Sequence, residues 1–496
     1  MNPNSNRPPG PSLVRGTFID TWKPDPSSAL PLHVQISGYI HGKIKRGDWA
    51  AGMRVPPQRE LARRFGVNRS TLVSALGHLA SQGLIEGNRG GGTRVILPAP
   101  DNTLHTGNWN AYIEEGIHYP NLPAVQAINH LEFTEGLIRL GTGELSPELL
   151  PSGEMMSILS GLNGQNLPLS YEEPLGNLAL RTAVSTELAK SGIEANPSSI
   201  VILSGALQGF QLIAQGLLPR GSTVLLEKPS YLYSIHSFQS AGLKLQGLPM
   251  DERGILPDRL EAAALLSKAA LLYTIPSFHN PTGILMDEER RRNLMSAAGS
   301  LGLPVLEDGA YQELWLDSPP PPPLKALDRE GRVLHLGTLS KTASPGLRVG
   351  WAVGPEAVIR RLADIKMQSD YGASSISQLL ASKWLGEGYH ARHMDRLRSQ
   401  LRHRRDATLA MLERNFSGIA TWTKPAGGFY IWLRLHHPLP LPKLFTAALG
   451  EGLLLNTGDL YHRSDSRHLR LSYAYASLGE LETGIAKLAK LIKQMN

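Results

Sequence analysis

Hydrophobic positions near the start of the chain recur with two periods. After Pro31, residues Ile36, Ile40 and Ile44 fall four apart and predict a helix that ends near Gly47. A short second helix runs from about Gln58 to Phe65 with Leu61 and Phe65 facing inward, and Gly66 provides the turn. Asn68 or Ser70 then caps a third helix that continues to about Gln82. Beyond Gly83 the period falls to two. Leu84-Ile85-Glu86 and Thr93-Arg94-Val95-Ile96 alternate like short strands around Gly87-Asn88-Arg89-Gly90-Gly91-Gly92, whose glycines permit positive φ. Helix, turn, helix and hairpin in this order predict an α+β winged helix-turn-helix.

From Leu140 onward the pattern changes again. Apolar runs at Ile200 to Leu203, Val224 to Glu227, Ala270 to Ile275, Pro304 to Glu307, Val333 to Leu336 and Val349 to Val353 read as buried strands. They alternate with helices, which predicts a largely parallel sheet wrapped on both faces, an α/β domain. The Pro319 to Pro323 run reads as a surface loop in polyproline II form. Residues 1–28 are rich in Pro, Asn and Ser without periodicity and predict a disordered tail. The expected division is thus tail 1–28, winged domain 29–98, linker 99–129 with a short helix near Trp109 to Glu115, and α/β domain 130–496.

A chain of 496 residues suits two unequal domains. It contains no apolar run of the roughly 18 residues that would span a bilayer. No leader pattern opens it, so the expected location is cytoplasmic and no membrane partner is expected. With 0 cysteines, disulfides, thiolate metal sites and cysteine nucleophiles are excluded, and no metal site is expected. The net charge of +7 is concentrated: between Ala29 and Pro98 ten Lys and Arg face three Asp and Glu, so the remainder is close to neutral. Phosphate is the counter-charge such a segment implies, and double-stranded DNA the expected partner.

A third helix lying in a major groove would present its N-terminal residues Asn68, Arg69, Ser70 and Thr71 to base edges, with Arg69 the principal reader. Arg59, Arg63, Arg64, Arg89 and Arg94 would lie against phosphates and fix register. The run PLHVQISGYIHGKI, followed by GMRVPPQRELARRFGVNRSTLVSALGHLASQGLIEGNRGGGTRV, resembles the winged helix-turn-helix of GntR-type bacterial regulators over about seventy residues. It departs from that pattern at Pro57, where the family commonly has Ser, and at Leu76, where an aromatic is frequent.

The α/β segment carries a second constellation. Pyridoxal 5'-phosphate (PLP) needs an amine for its aldehyde, a carboxylate at its pyridine nitrogen, donors at its phenolic oxygen and a phosphate cradle. Lys341, in Gly337-Thr338-Leu339-Ser340-Lys341 after an apolar strand, offers the amine. Asp308 ends a strand and offers the carboxylate. Tyr311 and Asn280 can donate to the phenolic oxygen, and Tyr231 can stack on the ring. Gly205, Ala206 and Leu207 open a helix directly after a strand, where free N–H groups favour an anion. Ser340 and Arg348 complete that cradle.

In combination, LGTGELSPELLP, SYEEPLGNLALR, SGALQGF, EKPSY, HNPTG, LEDGAY, SKTASPGLRVGW, KPAGGFYIW and HLRLSYA resemble fold-type I aminotransferases over essentially all of residues 130 to 496. The resemblance implies the same roles for Lys341, Asp308, Tyr311, Asn280, Tyr231, Ser340 and Arg348, and places Tyr171 at the phosphate of the neighbouring subunit of a head-to-tail homodimer. It also makes Arg470 the clamp for a substrate carboxylate. Leu207 departs from the polar residue common in the phosphate turn, so a side-chain bond is lost there. A GntR-type reader ahead of such a domain is similar to the MocR subfamily of bacterial regulators. The function this implies is a PLP-dependent DNA-binding regulator that senses an amino acid or related amino compound by aldimine exchange at Lys341. A catalytically active aminotransferase with an accessory DNA-binding segment is the alternative.

Overall fold

The computed structural model describes residues 22–28, 30–45, 49, 53–81, 84–88, 92–95, 109, 121–163 and 167–495. The chain forms two compact units, Met1–Glu115 and Gly116–Asn496.

In the first unit, α1 (Leu32–Lys45), α2 (Gln58–Phe65) and α3 (Arg69–Ser81) precede a hairpin of β1 (Ile85–Asn88) and β2 (Gly92–Val95). The spacing read from the sequence is the packing observed: Ile36 and Ile40 meet Leu61, Phe65, Leu72 and Leu79 in one core. Each such side chain contributes about 1.5–3 kcal/mol when fully buried. Gly66 takes φ 68 and ends α2, a conformation that a Cβ would strain. Asn68 is the cap of α3, because its Oδ1 accepts from the Thr71 N–H at 2.8 Å. The hairpin is antiparallel with Glu86 opposite Arg94, and the Met53–Val55 segment adds to the free edge of β2 through Val55 N–H to Thr93 O at 2.8 Å. The sequence reading did not foresee that third pairing.

The predicted tail needs correction at its end. Trp22 stacks on Tyr39 with ring centroids 4.1 Å apart and meets Phe65 edge-on, so the packed unit begins by Trp22. Burying an indole outweighs the local composition.

The second unit is built on an eight-stranded sheet of order β4-β11-β10-β9-β8-β5-β6-β7. Its strands are β4 (Ile200–Leu203), β5 (Thr223–Lys228), β6 (Lys244–Asp251), β7 (Gly254–Ile255), β8 (Ala269–Thr274), β9 (Val305–Asp308), β10 (Val333–Thr338) and β11 (Gly350–Val353). β11 runs antiparallel to both neighbours and β7 antiparallel to β6; the other pairs are parallel. The six continuous apolar runs are the strands with their side chains buried on both faces. Parallel order brings the carboxyl ends of β4, β5, β8, β9 and β10 to one rim, where α/β sheets bind ligands.

A second sheet of order β12-β13-β16-β15 closes that rim. It comprises β12 (Ala420–Trp422), β13 (Tyr430–Leu435), β15 (Asn456–Thr457) and β16 (His468–Ser472), beside the parallel pair β3 (Ile138–Arg139) and β14 (Leu453–Leu454). The helix Pro123–Leu131, in a stretch where the sequence places the end of the linker, belongs to this unit. It is held by Ile128 against Trp432, Leu454, Leu460 and Tyr461.

Candidate functional site

The first unit exposes the residues that the sequence expects to meet DNA. Asn68, Arg69 and Ser70 open α3 on the surface, and Arg59, Arg63, Arg64 and Arg94 are exposed as well. Arg89 lies outside the described residues. Asn68 is committed more deeply than foreseen: its Oδ1 takes both the Thr71 N–H and the Ser70 hydroxyl, each at 2.8 Å, leaving its amide N–H groups for an outside partner. Arg64 pairs with Glu60 at 2.8 Å across one helical turn, a link worth only about 0.3–0.5 kcal/mol and easily exchanged for a phosphate.

The second site is a cavity of about 620 Å³ at the sheet rim. Gly205 takes φ 89 and delivers the chain from β4 into the helix Ala206–Gly216. Its missing Cβ matters, since a built one would stand 2.6 Å from Arg348 Nη2. Arg348 itself lies in the left-handed region at φ 53, and Nη2 donates to the Ser204 carbonyl at 2.9 Å. Unpaired N–H groups of a helix start, a guanidinium and no side chain in the way form an anion cradle. Leu207 lines it without offering a polar side chain. The turn is braced from outside: Gln208 Nε2 donates to Asp370 at 2.6 Å, and Lys366 Nζ donates to the same carboxylate at 2.6 Å; the sequence reading passed over Asp370 and Lys366.

Lys341 follows β10, and its Nζ donates to the Gly143 carbonyl at 2.7 Å. Ser340 lines the cavity beside it. Asp308, 5% exposed at the end of β9, accepts from the Tyr273 hydroxyl at 2.9 Å and the Ala310 N–H at 3.1 Å. Burial pushes its carboxyl above the usual range, so a cation-bearing ring nitrogen placed there would be a strongly favoured partner. Tyr311 is buried, with its hydroxyl 3.4 Å from Asn280 Nδ2 and 3.0 Å from the Tyr430 hydroxyl. Tyr231 lines the wall, and burial pushes its phenol up to about 12.

Arg470, on β16, donates from Nη1 to Asn280 Oδ1 at 2.9 Å and from Nη2 to the Gly141 carbonyl at 2.7 Å. Its Nε has no partner. Burial lowers its pKa, but the surrounding tyrosines, Tyr430 first, outweigh burial and raise it; the guanidinium lies 4.2 Å from the Tyr430 ring centre. Tyr171 stands outside this cavity, exposed against Tyr371 with ring centroids 4.8 Å apart.

These observations fit PLP: an amine, a buried carboxylate needing a cation, two phenolic-oxygen donors, a cradle a Cβ would fill and a guanidinium with an unpartnered N–H. Tyr430, Tyr461 and the helix Pro123–Leu131 complete the wall, and Tyr273 braces Asp308 through its hydroxyl; sequence reasoning missed them, because what marks them is contact across dozens of residues.

One further cluster, Glu187, Glu313 and His390, has the composition of a metal site. Trp384 Nε1 donates to His390 Nδ1 at 3.1 Å, so the ring proton sits on Nε2, which faces Glu313 at 3.0 Å. Burial lowers His390, and the Glu313 charge outweighs it and raises the ring pKa. The trio is an ion pair rather than an open donor set.

Residues 137–488 match the family Aminotransferase class I and II, and residues 32–95 match Bacterial regulatory proteins, gntR family. The HTH-type transcriptional regulator YisV of Bacillus subtilis is 48% identical over 96% of this chain and 99% of its own. The chain belongs to the MocR-type GntR regulators. NorG of Staphylococcus aureus, another HTH-type transcriptional regulator, is 30% identical over 89% of this chain and 100% of its own. The aminotransferase unit of this MocR-type chain also matches the kynurenine aminotransferase of Pyrococcus horikoshii, solved with PMP, at TM-score 0.72 and 30% identity over 79% of this chain and 97% of that one. The protein is therefore a transcription regulator with an aminotransferase-like domain of a PLP-dependent fold. Among the described residues no helix is long and apolar enough to cross a membrane.

Proposed function

We propose that this regulator holds PLP on Lys341 and changes its grip on DNA when a small amino compound displaces the lysine. The observation that carries the reading is the Arg470 guanidinium: it lines the cavity that also holds Lys341, is fixed by Asn280 and Gly141, and leaves its buried Nε–H without a protein partner. A carboxylate is the acceptor such a group fits. When bound, PLP supplies an electrophilic carbonyl and a ring able to draw electrons.

The chain's own residues do the rest. Arg348, Ser340 and the Gly205, Ala206 and Leu207 turn hold the phosphate. Asp308 keeps the ring nitrogen protonated, Tyr311 and Asn280 donate to the phenolic oxygen, and Tyr231 stacks on the ring. Arg470 anchors the incoming carboxylate. Tyr171 serves the cavity of a neighbouring subunit in a head-to-tail homodimer, whose two reading heads then meet paired DNA half-sites. Arg69, Asn68, Ser70 and Thr71 read bases, while Arg59, Arg63, Arg64, Arg89 and Arg94 hold the backbone.

The test is to follow the visible absorption of the PLP-loaded protein and its binding to DNA upstream of its own gene while amino acids and amines are titrated. A compound that shifts both supports the reading, and a spectral shift with no effect on DNA overturns it. Lys341→Ala removes the lysine-dependent band while leaving DNA binding without effector largely intact. The intact set of Lys341, Asp308 and Arg470 favours one second reading, a working aminotransferase; rapid multi-turnover conversion of an amino donor and a keto acceptor would select it.

A further inference from the structure

We infer that Asp370 is a positioning residue for the cofactor phosphate: through Gln208 and Ser204 it sets the turn whose backbone N–H groups grip that phosphate. The inference rests on the reading above, in which the turn at Gly205, Ala206 and Leu207 cradles the phosphate of PLP.

The cradle of this chain depends on its backbone. Leu207 offers no side-chain bond, so the anion must be met by the N–H groups that open the helix Ala206–Gly216 and by Arg348. Such groups donate well only when the turn aims them, and the turn is aimed by hydrogen bonds on its outer side. Gln208 Oε1 accepts the Ser204 N–H at 2.8 Å, and its Nε2 donates to Asp370 at 2.6 Å. An ionised carboxylate only accepts, whereas an amide has one end that accepts and one that donates. Asp370 therefore dictates which way the Gln208 amide faces, and so secures an acceptor for the Ser204 N–H. The Ser204 hydroxyl donates to the same carboxylate oxygen at 3.2 Å, while the Ser204 carbonyl takes Arg348 Nη2 at 2.9 Å. Ser204 is thus held between Asp370 on one side and the arginine of the cradle on the other.

The carboxylate is itself fixed and neutralised. Asp370 directly follows the helix Glu356–Ser369, from which Lys366 Nζ donates to its two oxygens at 2.7 and 2.6 Å, and the Gly372 N–H adds a bond at 3.0 Å. A bare acid behind an anion site would repel the anion. Here the Lys366 side chain, 2% exposed, cancels that charge, so the pair supplies rigidity without repulsion. Neither residue lines the cavity, and both act on the cofactor only through the turn.

Full-length protein stripped of cofactor and titrated with PLP and with pyridoxal, which lacks the phosphate, separates this role from a general loss of structure; the readout is the absorbance of bound cofactor. Asp370→Ala should weaken PLP about tenfold or more, the effect of one hydrogen bond to a charged group, and leave pyridoxal within about threefold of the unaltered protein. Asp370→Asn, which keeps an acceptor oxygen, should lose less. Gln208→Leu should reproduce the selective loss, and combining it with Asp370→Ala should cost little more than the larger single change, because the two residues act as one chain. The Asp370 side chain is 29% exposed, so its variants test the proposal without emptying a core. Equal weakening of PLP and pyridoxal, unchanged PLP affinity in Asp370→Ala, or fully additive losses overturns the inference while leaving the cofactor reading standing. Protein that takes up neither PLP nor pyridoxal overturns both.

Discussion

Arg69 and Asp308 work under opposite conditions. Arg69 stands exposed on the first turn of α3, and among the described residues no ion pair holds it. Asp308 is buried, braced by Tyr273 and Ala310, and shifted in pKa by its surroundings. The first unit keeps these arginines in water, where an incoming phosphate would replace solvent at little cost. The cavity removes its groups from water and partners most of them with one another, Arg470 Nε being an exception. Substitutions should accordingly remove contacts in the first unit and disturb geometry in the second.

The largest effect should come from Gly205→Val. A side chain at φ 89, pressed against Arg348, carries about 1–3 kcal/mol of backbone strain and displaces the cradle. Cofactor affinity should fall by roughly ten- to a hundredfold in an absorbance titration, with DNA binding in the absence of ligand little altered. Loss of both would break the contrast between the units.

The reading head should answer differently. Arg69→Ala should cost about 1–3 kcal/mol on the preferred DNA sequence and relax the preference, whereas Arg64→Ala should weaken all sequences alike and reduce the salt slope by about 1. Binding measured at several salt concentrations on matched and mutated sites separates the two, and identical profiles would dissolve the distinction between reader and anchor. Asn68→Ala removes a helix cap worth about 1 kcal/mol and should lower the thermal midpoint of the first unit modestly.

A pH dependence sharpens the same comparison. Burial pushes the Glu227 carboxyl from 4.5 up to about 7. A folded pKa above the unfolded one means that its contribution to stability is full below about 4.5 and is lost as pH rises through about 7. Glu227→Gln should flatten that window in denaturant midpoints measured from pH 4 to 8.

The sequence made the two halves legible to different depths. Ile36, Ile40 and Ile44, and runs such as Ile200 to Leu203, announce elements because burial on one stripe or on both faces imposes a period. Strand β6 mixes polar and apolar residues because it is only partly covered, and the edge strand β7, two buried residues long, is too short to show a period; both went unread. Lys341, Asp308 and Arg348 were legible because each adjoins a strand end with a characteristic neighbour. Tyr273 and Tyr430 were not: they reach Asp308 and Tyr311 across 35 and 119 residues, a relation that only the fold creates. The helix Pro123–Leu131 was hidden by its surroundings of Pro and Asn, which read as connecting chain.

The glycines of the cavity bear on how this lineage can diverge. Added Cβ atoms at Gly141, Gly143 and Gly205 would stand 2.2, 2.4 and 2.6 Å from Asn456, Tyr430 and Arg348. A side chain added to that wall must displace one of these groups, so change there disturbs the site. The helix Pro123–Leu131 bears on the same cavity through side chains such as Val125 and Asn129, which can be exchanged singly. Substitutions along one helix can thus reshape this cavity singly, while the glycine wall opposite resists change.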